Sequence, residues 1–97
     1  MKKLNGNFSI TESGSISYEI FDAGAEKLPE IVALLQTRFG FTQQPLKWGL
    51  EGCYLDCILE SVEFIIGWDI WSGCFIMPLS RSEEGDRIIN EIGAFLR

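Results

Sequence analysis

The chain has 97 residues, 14 acidic and 8 basic, a net charge of −6, three cysteines, no histidine and 46% hydrophobic residues. That length supports one core and not two, and that hydrophobic content excludes a disordered chain, which needs low hydrophobicity together with high net charge. The lack of histidine removes the side chain best suited to proton transfer near neutral pH and the commonest zinc ligand, so histidine-dependent triads and metal sites are excluded.

The start, Met1-Lys2-Lys3-Leu4-Asn5-Gly6, has a basic pair but turns polar where a secretory signal needs an apolar stretch. The longest apolar run, Val62 to Leu79, is interrupted by Glu63, Asp69 and Ser72, so no membrane span is expected and a cytoplasmic location is. Phe8-Ser9-Ile10 and Ser15 to Ile20 alternate apolar with polar residues around a Glu12-Ser13-Gly14 turn, which predicts two extended pieces, the first a short edge strand. From about Ala25 to Phe39, Leu28, Ile31, Val32, Leu35 and Phe39 share one helical face. Asp22 is a candidate N-cap, Pro29 fits the first turn and Gly40 supplies the stop.

Phe41 to Lys47 holds Thr42, two glutamines and Pro45 and reads as a loop. Three strands follow, Leu50 to Leu59, Val62 to Trp68 and Trp71 to Leu79, forming an antiparallel meander. Glu60-Ser61 and Asp69-Ile70 sit at its turns, and neither is a favoured two-residue pair, which predicts bulges or longer turns. Ser80 or Ser82 can cap a second helix, with Glu83, Glu84 and Asp86 in its first turn and Ile88, Ile89, Ile92, Phe95 and Leu96 on one stripe. The order β(β)αβββα predicts a single α+β domain over 1–97, an antiparallel sheet of about four to five strands with two helices packed on one face.

From Trp48 to Ser80 there are five acids, Glu51, Asp56, Glu60, Glu63 and Asp69, and no lysine or arginine. Such a segment repels phosphate backbones and attracts a basic protein surface, so a protein partner is expected and nucleic acid is not. The same charge also keeps a hydrophobic domain in solution. No spacing singles out two of these acids as a catalytic pair. Cys53 and Cys57 would be neighbours on a helix, but on a strand four residues place their sulfurs about 13 Å apart on one face, beyond a shared metal or a disulfide. The cysteines therefore read as small buried apolar residues, and no cofactor or metal is expected. Gly6 and Gly85 belong to no phosphate-binding loop, whereas Gly52, Gly67 and Gly73 fall inside strands, where glycine marks a bulge or a close backbone approach.

The most distinctive stretch is Gly67-Trp68-Asp69-Ile70-Trp71-Ser72-Gly73, two tryptophans flanking an acidic turn. Tryptophan concentrates binding energy at interfaces, and an adjacent carboxylate suits an arginine or lysine of a partner; the alternative is a tryptophan pair packed in the core. The candidate partner-binding residues are Glu51, Asp56, Glu60, Glu63, Trp68, Asp69 and Trp71, with Trp48 a further aromatic candidate and no catalytic residue assigned.

With an amino-terminal strand, one helix, a meander bearing this Gly-Trp-Asp-x-Trp-Ser-Gly turn and a closing helix, the chain resembles small acidic bacterial immunity-type proteins of polymorphic or contact-dependent toxin systems. The resemblance implies a cytosolic antidote that binds a cognate toxin domain, often a basic nuclease, and blocks its active site or an exosite. It transfers no catalytic residue. Two other readings stand beside it: a module that forms a homo-oligomer through an open edge strand, and a small-ligand domain with a pocket between the sheet and the first helix, lined by Tyr18, Phe41 and Trp48.

Overall fold

The structure, a computed structural model, describes residues 4–97, so the Lys2-Lys3 pair lies outside the described residues. Its elements are β1 (Asn7–Ile10), β2 (Ile16–Ile20), α1 (Leu28–Phe39), β3 (Thr42–Gln43), β4 (Lys47–Trp48), β5 (Gly52–Leu59), β6 (Val62–Asp69), β7 (Gly73–Pro78) and α2 (Glu83–Leu96). The α+β class and the two helices are as expected. Among the described residues the strand count is seven, because the segment read as a loop contributes two short strands, β3 and β4, that both pair with β5. Its sequence concealed them because each is only two residues long, too short for an alternating pattern.

All pairings are antiparallel, in the order β1-β2-β7-β6-β5, with β3 and β4 sharing the far side of β5. Because side chains alternate faces along a strand, Cys53, Leu55 and Cys57 of β5, Phe64 and Ile66 of β6, Cys74 and Ile76 of β7 and Tyr18 and Ile20 of β2 point the same way and are buried. Leu28, Ile31 and Leu35 of α1 and Ile88, Ile89, Ile92 and Leu96 of α2 complete this core, and both helices lie on that face. Phe39 and Phe95 join the two helices through an edge-on contact at 5.9 Å. On the other face, Gly67 has no room for a side chain because the Cys53 carbonyl and the Phe75 ring occupy it, so Phe75 lies across the strand there.

Local chemistry explains the boundaries. Asp22 sits in the turn that leaves β2 and does not cap α1; a 3-10 turn, Ala25–Lys27, leads into the helix instead, with Pro29 in its first turn. Gly40 at φ 69° ends α1 in the left-handed conformation. At α2, Ser82 is the cap that forms, its Oγ accepting the Gly85 N–H at 2.9 Å. Between β5 and β6 the turn is tight, contrary to expectation: Leu59 pairs with Val62, and Glu60 and Ser61 both take positive φ, 52° and 72°. That is the twist-matched hairpin geometry that asparagine and glycine usually supply. The β6–β7 connection does carry the longer, bulged form, with Ile70, Trp71 and Ser72 in the loop and Gly73 at φ 71°.

Tyr18 is fully buried beside Phe8, their rings 5.1 Å apart, and both rings press on α2 at Gly93. Its hydroxyl donates to the Leu4 carbonyl at 2.9 Å and accepts the Gly6 N–H at 2.7 Å. Tyr18→Phe strands those two backbone groups and should lower the unfolding free energy by about 1–3 kcal/mol in urea denaturation. Ser61→Gly relieves the left-handed backbone of the β5–β6 turn and should raise it by about 0.5–1 kcal/mol in the same assay, after the added freedom of the unfolded chain is offset.

Candidate functional site

At one end of the sheet the chain turns repeatedly, and five large apolar side chains emerge there with no place in the core. Phe21 follows β2, Trp48 ends β4, Leu50 sits in the β4–β5 turn, and Ile70 and Trp71 occupy the β6–β7 loop; all five are exposed, Trp71 at 64%. They are neighbours through the backbone. The Ile70 N–H donates to the Glu51 carbonyl at 3.1 Å, Asp69 pairs with Gly73, and Gly73 lies against the Phe21 backbone. With strands about 4.8 Å apart, five adjacent strand ends make a rim roughly 19 Å long.

Acids are interleaved with these tips. Asp22 and Glu51 are exposed, and Asp69 is partly buried because its carboxylate faces back into its own loop. There Asp69 Oδ1 accepts the Trp71 N–H at 3.0 Å and the Ser72 N–H at 2.6 Å, a local turn that holds the Trp71 backbone in place. Holding an exposed tryptophan on a fixed loop lowers the ordering cost of using it in an interface.

The sequence candidates do not form one patch. Glu51, Asp69 and Trp71 belong to the rim. Asp56 and Glu63 lie on the helix-free face of the sheet, where Asp56 is paired with Lys47 at 3.1 Å and Glu63 is exposed. Glu60 occupies the β5–β6 turn at the opposite end, about 23 Å away along an eight-residue strand, and is held by Arg87 at 3.1 Å. Trp68 points to the helix side between its strand partners Cys53 and Cys74 and packs, partly buried, against the core. The two tryptophans therefore divide: Trp68 packs against the core and Trp71 is exposed. Phe21, Leu50 and Ile70 were missed by sequence reasoning. Their signal was a large apolar residue inside a turn, as with Leu50 in Gly49-Leu50-Glu51-Gly52, where solvated residues are the rule.

The thiols offer no reactive group. Cys53, Cys57 and Cys74 are free and buried, and burial pushes the Cys57 and Cys74 thiols up to about 12, with lesser contributions from Asp56 for the first and from Cys53 and Glu26 for the second. Among the described residues no group of three or more cysteine, aspartate and glutamate side chains is arranged to hold a metal ion, and no helix is long and apolar enough to cross a membrane. No family model, curated protein or solved structure matches the chain, so the site is read from its own geometry. At pH 8 Cys57 and Cys74 should react with an aromatic disulfide reagent only as fast as the chain opens, and at once in denaturant. Prompt modification of either in the native protein, located by mass spectrometry, would contradict their assignment as inert core residues.

Proposed function

We propose that the chain is a non-enzymatic protein-binding module whose contact surface is the rim of Phe21, Trp48, Leu50, Ile70 and Trp71, and that it acts as an immunity-type inhibitor of a basic toxin domain in the cytoplasm. The observation that carries this reading is the gathering of five large exposed apolar side chains at one end of the sheet, interleaved with Asp22, Glu51 and Asp69. Scattered exposed hydrophobic residues need no explanation, but five on adjacent strand ends around a fixed tryptophan have the composition of an interface centre. Asp22 and Glu51, exposed at the rim, add a local negative field that steers a basic partner toward it. Glu63, on the helix-free face, adds to that field in this scheme, while Asp56 and Glu60, already paired with Lys47 and Arg87, make no contact.

A second reading, self-association, is favoured by β1, an edge strand that leaves Ile10 exposed. Sedimentation separates the two: a monomer at high concentration removes it.

The test is capture of partners by the tagged chain at low and moderate salt, followed by co-expression of the captured domain to measure protection from its toxicity. A basic toxin domain should be retained, and its affinity should fall as salt rises. Trp71→Ala, at an exposed position, should weaken binding by about 2 kcal/mol, roughly thirtyfold, and abolish protection with the fold intact. Retention that survives Trp71→Ala and Leu50→Ala together would place the interface elsewhere.

A further inference from the structure

A second surface, apart from the rim except at Trp48, lies between α1 and the outer edge of the sheet. The edge strand there is bulged. Gln43 pairs with Cys57 and Lys47 with Tyr54, and the Gln44 N–H donates to the Asp56 carbonyl at 2.8 Å, so Pro45 and Leu46 together stand opposite Leu55 alone. Inserting one residue shifts the alternation of faces by one position, and a regular strand would have turned Trp48 to the other side of the sheet. Instead Trp48 pairs with Cys53 on the helix side and, at 68% exposure, stands beside α1 without being absorbed into the core.

The result is a groove of about 540 Å³ with Cys53 and Leu55 on the sheet, Leu28 and Val32 on the helix, and Leu46 and Trp48 on the bulged edge. That volume falls in the range of small-molecule sites, roughly 300–1,000 Å³. Tyr18 and Phe41, expected to line a pocket beside this helix, are buried in the core, Phe41 edge-on to Phe64 at 5.4 Å. Among the described residues, no lysine, arginine, aspartate or glutamate lines the groove. Its polar lining is an amide pair. Gln36 Nε2 donates to the Phe41 carbonyl at 2.7 Å and to Gln43 Oε1 at 3.1 Å, which fixes the orientation of both amides. Among the described residues, the Gln36 carbonyl oxygen makes no hydrogen bond and is open as an acceptor, and the Gln43 amino group is open as a donor.

We propose that this groove is a binding site for a small, neutral, planar and largely apolar ligand that carries a carboxamide-like edge, stacked on Trp48 and hydrogen-bonded to Gln36 and Gln43. Neutrality follows from the uncharged lining, since an ion placed there would lose water without gaining a counter-charge. The amide edge follows from the remaining acceptor of Gln36 and the remaining donor of Gln43, carried by two amides that are themselves hydrogen-bonded, since a carboxamide offers the complementary donor and acceptor. Stacking follows from an indole that the bulge holds beside an apolar floor.

The probes are naphthalene-1-carboxamide and its charged relative 1-naphthoate, titrated into the ¹⁵N-labelled full chain with amide and indole shifts followed by NMR. The carboxamide should bind saturably, one per chain, and move the signals of Val32, Gln36, Gln43 and the Trp48 indole N–H. The naphthoate should bind at least about tenfold more weakly, the scale of one uncompensated polar burial. Trp48→Ala should weaken the carboxamide about tenfold, Trp48→Phe should restore most of the loss, and Trp71→Ala should change nothing. Shifts centred on Phe21, Ile70 and Trp71, equal binding of both probes, or indifference to Trp48→Ala would each overturn the proposal. None of these outcomes depends on whether the rim recognises a toxin, because Trp71→Ala separates the two surfaces.

Discussion

Burying one face of the sheet is the constraint from which the rest follows. Tyr18, Leu55, Phe64, Ile66 and Ile76 can leave water only against Ile31, Leu35, Ile88, Ile89 and Ile92, and that apolar contact is the dominant favourable contribution to the fold. A slip of one residue in any pairing would turn a whole set of these side chains outward, so register is pinned by burial more than by turn chemistry. This is why the β5–β6 hairpin closes through Glu60 and Ser61, two residues poorly suited to positive φ: the strands on either side impose the geometry.

The same constraint separates buried from exposed residues along the chain. Residues that alternate inward are consumed by packing, and those at the strand ends escape it. Trp68 and Trp71 illustrate the division within one hairpin, three positions apart, the first packed against the core and the second held in the open by a loop that Asp69 organises. The carboxylate at position 69 is thus a positioning group, directing its oxygen to backbone N–H groups of its own turn and not outward to a partner.

Periodicity made most of the fold legible. The helical stripes from Leu28 to Phe39 and from Ile88 to Leu96, and the β5–β7 meander, carry long patterns that no competing structure satisfies as well. The two-residue strands β3 and β4 carry no pattern, since their pairing is decided by the partner strand and by a bulge that only tertiary contact defines. The rim was half legible: Glu51, Asp69 and Trp71 stand out by residue type, but adjacency of Phe21 to the β6–β7 loop depends on β2 pairing with β7. The ion pair of Glu60 was not legible either, because the helix that brings Arg87 to it lies 27 residues further along the chain.

That β2–β7 pairing has a kinetic side. β5, β6 and β7 are linked by short turns and can zip together from local encounters, whereas joining Tyr18 to Ile76 closes a loop across most of the chain and pays its entropy before any reward. Phe21 follows the strand whose pairing carries that cost. A ligand that reads Phe21 together with Ile70 and Trp71 therefore distinguishes a molecule in which β2 has joined β7 from one in which only the meander has formed, and its binding energy is withheld until that long-range pairing is made.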